Sequence, residues 1–316
     1  MSKIKAALAC ERVETLNYVY GPDRLNVLAA LTDMNPEILT SENVSSGSFS
    51  DTEVLFSTWG MPALTEDQLD SLPALKAVFY AAGTTDPFKT PFLNRGILIS
   101  SAWKANAIPV AEFAFAQILL SLKNYFAVSS AVRQKKQWYE MPVGRGAYGA
   151  TVALIGAGAI STRIRKMLES VDVKVIVVPS RKENRTVSLE EAFRTAQVVS
   201  NHLPNRDDNI GVFTGAMFES MPPNAVFINT GRGRQVNEPE MIAALKKRPD
   251  LTALLDVTWP EPPVPGSELY TLPNVHLSPH IAGSMNDEVL RMADVEIEEF
   301  KRYRDNQPLE NLVGKE

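Results

Sequence analysis

The chain has 316 residues, a formal net charge of −5 and 22% charged residues. That length exceeds one ordinary core and predicts two domains, while the negative charge argues against a nucleic-acid footprint. No apolar run reaches the roughly 18 residues of a membrane helix, and Met1-Ser2-Lys3-Ile4-Lys5 opens no secretory core. The single cysteine, Cys10, cannot close an internal disulfide, and its apolar surroundings predict a buried packing residue. These features predict a cytoplasmic protein with no membrane or nucleic-acid partner and no metal site.

In chain order, Lys5 to Cys10 reads as a first strand, and Asp23 to Leu31 as a helix burying Leu25, Val27, Leu28 and Leu31. Val54 to Ser57 is a second strand. Thr65 is a good N-cap, with Gln68 at the reciprocal capping-box position. Leu75 to Tyr80 is a third strand and ends in the small-residue turn Ala81-Ala82-Gly83-Thr84-Thr85; Ile97 to Ser100 is a fourth. Pro109 to Lys123 is the longest apolar helical run and is expected to be largely buried. A carboxylate inside it needs a partner, so Glu112 is expected to be buried, hydrogen-bonded and structural. Trp59 and Trp103 lie near candidate loops and read first as packing residues, and Trp138 as a boundary residue.

The glycine-rich stretch Gly144 to Gly149 marks the entry to a second domain. Strands follow at Thr151 to Ile155, Val173 to Val178, Val198 to His202, Ala225 to Asn229, Thr252 to Val257 and Val275 to Leu277, with a helix over Ala159 to Leu168. Alternating strands and helices predict parallel, doubly wound sheets. The amphipathic helix Asn286 to Arg304 is placed to cross back and complete the first domain.

Gly156-Ala157-Gly158 stands between a predicted strand and helix, the context a dinucleotide-binding turn requires. The first glycine permits the tight turn, and the second lets a pyrophosphate approach the helix N-terminus. Three features depart from the pattern. Ser161 replaces the third glycine, Arg165 stands where a small apolar residue is common, and Val178-Pro179-Ser180-Arg181-Lys182 offers no acidic residue for a ribose 2′-hydroxyl. A hydroxyl with Arg181 and Lys182, and Arg185 as a further candidate, suits a 2′-phosphate instead, so NADP is favoured over NAD. Downstream stand Arg232, Glu261 and His280. A fixed cation, a carboxylate and an imidazole beside a dinucleotide turn point to hydride transfer to or from a 2-oxo or 2-hydroxy acid.

Several segments together resemble the D-isomer-specific 2-hydroxyacid dehydrogenases. They are Val110-Ala111-Glu112, Gly156-Ala157-Gly158-Ala159-Ile160, His202-Leu203-Pro204, Asn229-Thr230-Gly231-Arg232-Gly233, Asp256 through Pro262, and Pro279-His280-Ile281-Ala282-Gly283. The resemblance implies two doubly wound parallel-sheet domains, with a Rossmann-type cofactor domain (105–285) inserted in a flavodoxin-like substrate domain (1–104 and 286–316). It also implies a homodimer built around the cofactor domain.

On that resemblance Arg232 binds the substrate carboxylate and polarises the 2-oxo group, where a guanidinium fork suits planar oxygens. His280 exchanges the proton with the carbonyl oxygen, and Glu261 orients His280. Gly156, Gly158, Ala159, Ile160, Ser180, Arg181, Lys182, His202, Pro204, Thr230 and Asp256 are the implied cofactor contacts, Asp256 through the nicotinamide carboxamide. Ala82 and Gly83 resemble the loop that receives the substrate carboxylate on its N–H groups, although Thr84 and Thr85 displace the acidic residue usual there to Asp86. His276 is expected to be structural. A cofactor-sensing regulatory protein on the same scaffold is the alternative, disfavoured by the complete Arg/Glu/His set. A formate dehydrogenase is disfavoured because it carries glutamine where this chain has Glu261.

Overall fold

The computed structural model describes residues 3–135 and 144–314; Trp138 lies outside them. The chain divides into two compact units, Met1–Ala107 with Ser284–Glu316, and Ile108–Gly283.

The elements run β1 (Lys5–Ala9), α1 (Val13–Leu31), β2 (Asp33–Met34), β3 (Val54–Ser57), α2 (Glu66–Leu69), β4 (Ala77–Tyr80), α3 (Lys89–Asn94), β5 (Leu98–Ser101) and α4 (Trp103–Leu122). Then come α5 (Tyr125–Lys135), β6 (Ala150–Ile155), α6 (Ala159–Leu168), β7 (Val173–Val178), α7 (Leu189–Thr195) and β8 (Val198–Asn201). The chain continues through α8 (Gly215–Ser220), β9 (Val226–Asn229), α9 (Glu238–Lys247), β10 (Thr252–Leu255), β11 (Val275–Leu277) and α10 (Val289–Arg304).

The first unit holds a parallel sheet ordered β2-β1-β3-β4-β5, a flavodoxin-like arrangement. β3 and β4 are buried along their whole length, as strands covered on both faces must be. One face packs Phe300 of α10 edge-to-face on the stacked rings of Phe56 and Phe79, closing the core. Arg24 on α1 grips Asp294 on α10 through two bonds of 2.7 and 2.8 Å. The capping box at Thr65 and Gln68 is formed. Cys10 is fully buried, and burial pushes its thiol up. Trp59 is partly buried against the hydrophobic clusters on both faces of this sheet, whereas Trp103 is 40% exposed.

The second unit holds a six-stranded parallel sheet ordered β11-β10-β9-β8-β6-β7. Numbered within the unit this is 2-1-3-4-5-6, so the strand order reverses between β6 and β8. Open α/β sheets bind ligands beyond the strand C-termini at that reversal.

Three expectations are corrected. Val27, expected on the buried face of the first helix, is 40% exposed, while Leu28 is fully buried and Leu25 and Leu31 are partly buried. The helix predicted from Asp23 begins at Val13 and is bent at Gly21 (φ 61°, ψ 170°), because Pro22 disfavours helical backbone at the preceding residue. Glu112 is exposed rather than buried, and pairs with Arg163 at 3.3 Å across to α6. The apolar helix around it starts at Trp103, runs through Pro109, and leaves Leu120 40% exposed. Its length and composition would allow a membrane crossing; half of it is buried within the fold.

Glu296 on α10 is the least expected core residue. It is 0% exposed, and neither carboxylate oxygen has a hydrogen-bond partner among the described residues. Burial pushes its carboxyl well above the ordinary range, outweighing the pull of the nearby Ser100 hydroxyl in the opposite direction, and neighbouring Glu299 pushes it further. The folded chain therefore binds a proton that the unfolded chain releases above the ordinary carboxyl pKa. This stabilisation is complete below the unfolded pKa and is lost as pH rises through the folded one. Glu296→Gln is therefore expected to melt several degrees above the wild type at pH 8, with the gap closing towards pH 4–5, at roughly 2–4 °C per kcal/mol for a domain of this size. Melting curves across pH check it; a gap independent of pH would mean Glu296 is not held neutral.

Candidate active site

Every catalytic or cofactor residue that the sequence places in the second unit lies beyond the C-terminal end of a parallel strand or in the helix start that follows. The last rung of the sheet aligns Val178, Ile155, Asn201, Asn229, Leu255 and Leu277. One residue or a few beyond that rung come Ser180, Gly156, His202, Thr230 to Arg232, Asp256 to Glu261, and His280. Parallel pairing gives all these loops the same edge of the sheet.

Gly156 has φ +110°, and a Cβ there would lie 2.6 Å from the His202 carbonyl oxygen, so no larger residue fits. At Gly158 an added Cβ would meet nothing within 4 Å. The N-terminus of α6 that Gly158 caps has no side-chain cap, which leaves its first N–H groups for water or a ligand. Ser161, in place of the third glycine, is 1% exposed and fits against the sheet. Arg165 points out to solvent, which accommodates that departure.

Beyond β7, Ser180, Arg181, Lys182, Arg185 and Arg206 line a cavity of about 320 Å³. The Ser180 hydroxyl is buried with no partner among the described residues. Arg185 braces the turn by donating to the Pro179 and Ser180 carbonyls at 2.8 and 2.7 Å. Arg206 is held by Asp208. Arg181 and Lys182 are exposed. Across the reversal point His202 is 8% exposed, with Nε2 2.9 Å from the Ser200 hydroxyl and Nδ1 3.1 Å from that of Thr230. Burial pushes its imidazole down to about 3, so it is neutral.

The loop bearing Arg232 is shaped from both sides. A Cβ at Gly231 would lie 2.6 Å from Asn201 Nδ2, and one at Gly233 would lie 1.9 Å from the Thr258 carbonyl carbon. Arg232 Nη1 donates to the Gly231 carbonyl at 2.7 Å. Asn201, Asn229 and Gln235 form a buried amide cluster behind this loop. Asn201 and Gln235 escaped the sequence reading; the one signal was a polar residue ending an apolar strand. Arg234 lies over the exposed Trp259 ring at 5.6 Å.

Asp256, 3% exposed, holds the segment that carries His280. Its Oδ1 accepts from the Ser278 hydroxyl (2.6 Å) and the Ile281 N–H (2.9 Å), and its Oδ2 accepts from the Ala282 N–H (2.9 Å). Its backbone carbonyl accepts the His280 N–H at 2.9 Å. His280 itself has φ +55°, a left-handed conformation that only a few per cent of non-glycine residues adopt. Its Nδ1–H donates to Glu261 Oε1 at 2.6 Å, which fixes the ring's tautomer and leaves Nε2 as the second functional nitrogen. Both side chains are half-exposed.

In the first unit, Ala82 is fully buried and its N–H donates to the Tyr80 carbonyl at 2.8 Å. It therefore shapes the turn and has no free N–H to offer a carboxylate, which corrects its place among the substrate contacts. The N–H groups of Gly83 and Thr84 have no acceptor among the described residues. His276 is partly buried beside Phe126, at a ring-centroid distance of 5.4 Å. Among the described residues no cluster of His, Cys, Asp or Glu suits a metal ion.

Asp256→Asn removes the charge from three hydrogen bonds and puts an amide donor against N–H groups. Bonds to charged groups contribute about 1.5–3 kcal/mol each, so a loss of about 2–4 kcal/mol in denaturant unfolding is expected. Loss below about 0.5 kcal/mol would show that the His280 segment holds its shape without this anchor.

The family model for the NAD binding domain of D-isomer specific 2-hydroxyacid dehydrogenases matches residues 115–282. The chain is 30% identical over 234 residues to YoaD of Bacillus subtilis, a protein provisionally named a 2-hydroxyacid dehydrogenase, covering 70% of this chain and 68% of that one. It is 27% identical over 267 residues to the glyoxylate reductase of Aeropyrum pernix, covering 79% of each. Among solved structures, the holo form of Rhodotorula graminis D-mandelate dehydrogenase superposes with a TM-score of 0.80 at 21% identity, over 100% of this chain and 99% of that one. The match falls on the unit whose strand ends carry the glycine turn, the arginine and the paired histidine and glutamate, and the chain belongs to the D-isomer-specific 2-hydroxyacid dehydrogenase family.

Proposed function

We propose that this enzyme works chiefly as a D-specific reductase of 2-oxo acids, that NADPH is its preferred reductant, and that Arg232, His280 and Glu261 are its catalytic residues. The observation that carries the reading is the 2.6 Å bond from His280 Nδ1 to Glu261, on the sheet edge that also bears Arg232 and the Gly156–Gly158 turn. The unit of residues 108–283 is read as the cofactor domain. The unit of 1–107 and 284–316 is read as the substrate domain, with Gly83 among its candidate substrate contacts.

The residues present fit a dinucleotide. The open space at Gly158 and the uncapped start of α6 suit a pyrophosphate, with Ala159 and Ile160 in the helix's first turn. His202, Pro204, Thr230 and Asp256 are read as flanking contacts. The buried, unpartnered Ser180 hydroxyl beside Arg181 and Lys182 suits a 2′-phosphate. Glu183 and Asp208 line the same cavity, but Asp208 is already engaged by Arg206.

When bound, the reduced nicotinamide supplies the hydride. The fork of Arg232 holds the carboxylate and draws charge from the 2-oxo oxygen. His280, with Nδ1–H fixed on Glu261, gives a proton from Nε2 to that oxygen as it gains negative charge, and takes it back in the oxidative direction. A cofactor sensor has no chemical need for this proton donor. A homodimer is part of the same proposal, supported by the exposed Leu120 and Tyr125 near the turn from α4 to α5. So is a cytoplasmic location, supported by a single unpaired cysteine.

His280→Asn is expected to lower kcat for 2-oxo acid reduction by about 10²–10⁴-fold, the usual worth of general acid catalysis, while cofactor affinity stays within about twofold. The assay follows reduced-cofactor absorbance with glyoxylate, hydroxypyruvate, pyruvate and larger analogues. No turnover of any of them by the wild type, with either cofactor, would overturn the reading. Fluorescence titration tests the cofactor preference: NADPH should bind about tenfold or more tighter than NADH, and Arg181→Ala/Lys182→Ala should erase the difference. Gly158→Ala should weaken both cofactors alike without lowering the melting temperature. Tighter binding of NADH to the wild type would sink the NADP preference.

A further inference from the structure

We propose that Gln235 is a positioning residue for Arg232: its buried amide sets the Arg232 peptide and ties it to the loop after β8. The inference rests on the reading of Arg232 as the cation that binds the substrate carboxylate.

Gln235 is 1% exposed. Its Oε1 accepts the Arg232 N–H at 3.1 Å and Asn201 Nδ2 at 2.7 Å. Its Nε2 donates to the carbonyls of Leu203 (3.2 Å) and Pro204 (2.8 Å). The full hydrogen-bonding capacity of one amide is thus used, with partners in three places. Asn229 holds the other side of the same residue. Its Nδ2 donates to the Arg232 carbonyl at 3.3 Å, and its Oδ1 accepts from Asn201 Nδ2 at 2.8 Å and the Gly231 N–H at 3.1 Å. Arg232 therefore has its N–H bonded to a buried side chain, and its C=O shared between Asn229 and the backbone N–H of Gln235 at 3.3 Å, rather than to a sheet ladder.

Filling space does not account for this arrangement. Apolar side chains at 201 and 235 would occupy the same volume without burying polar atoms that must all be paired. Fixing a peptide plane is what they could not do. The direction of the guanidinium depends on that plane, because Arg232 Nη1 donates to the Gly231 carbonyl at 2.7 Å. The cluster and the glycine are mutually fitted, since a Cβ at Gly231 would lie 2.6 Å from Asn201 Nδ2 and 2.9 Å from Gln235 Oε1. Rotation of the 231–232 peptide would swing the fork directly, and misplacement on the order of 1 Å costs about 10²-fold in catalysis.

Gln235→Met keeps the length of the side chain and removes all four bonds. The expected result is a KM for the 2-oxo acid raised about tenfold or more, with the Kd for NADPH changed less than about threefold. Gln235→Glu keeps an acceptor for the Arg232 N–H but replaces the amide donor. It should melt lower than the wild type yet hold KM within about threefold. A KM that follows melting temperature across both variants, or a rise in KM matched by the rise in cofactor Kd, shows a merely structural role and overturns the proposal. If Gln235→Met does not fold, Asn201→Leu/Gln235→Met, which removes both amide partners, carries the same comparison, and a wild-type KM in it overturns the proposal. Arg232→Ala separates the two readings. If it leaves KM unchanged, the role of Arg232 is wrong; if it raises KM while Gln235→Met does not, only the positioning role fails.

Discussion

The carboxylate of Asp256 is the point on which the strand-end loops of the second unit depend. Its chain segment ends β10, and it reaches the segment that ends β11, gripping Ser278, Ile281 and Ala282 at once. Between those residues His280 is held in a left-handed backbone conformation that costs an ordinary residue about 1–2 kcal/mol. Three bonds to a buried charge, each contributing about 1.5–3 kcal/mol, exceed that cost. The strain is therefore sustained by a neighbour in space, and the histidine reaches Glu261 because the backbone beneath it has no freedom to relax.

The same solution recurs one strand pair away. Parallel strands run out of ladder partners at their C-terminal ends, where backbone polar groups must find bonds or water. Here side chains supply them: Asp256 for the β11 loop, and Asn229 and Gln235 for the β9 loop. Glycines stand where these side chains press closest, at 231 against the amide cluster and at 156 against the His202 carbonyl. A loop held in this way is as rigid as the sheet from which it springs, which suits groups that must meet a substrate in one geometry.

What was legible in the sequence follows from the range of the interactions. Buried parallel strands appear as short apolar runs, and the capping box at Thr65 is a three-residue pattern, so both could be read locally. The short helices α3, α7 and α8 carry too few turns to show a period. Helix α1 is legible in the sequence only from Asp23 because Gly21-Pro22 interrupts its pattern. Glu112 was misplaced because its helix is apolar on faces that this chain alone leaves partly open. The Asn201–Gln235 bond spans 34 residues and joins positions that look ordinary apart. Ala82 has the right size for a carboxylate loop, but only the fold shows its N–H already taken by Tyr80.

The two ends of the candidate site are built by different physics. At the reactive end, buried amides and a buried carboxylate bond one another across strands, so a change at one position leaves a polar partner unsatisfied and is felt throughout. At the far end of the glycine turn, Arg181 and Lys182 are exposed side chains around an open cavity, and no buried network depends on them. Substitution there costs little stability, because surface changes away from such networks fall within about 0.5 kcal/mol. The physical coupling between Arg181 and Lys182 and the loops that carry Arg232 and His280 is correspondingly weak. Arg181 and Lys182 can be exchanged without disturbing Arg232 or His280, whereas neither of those can move without the amides or the aspartate that hold it.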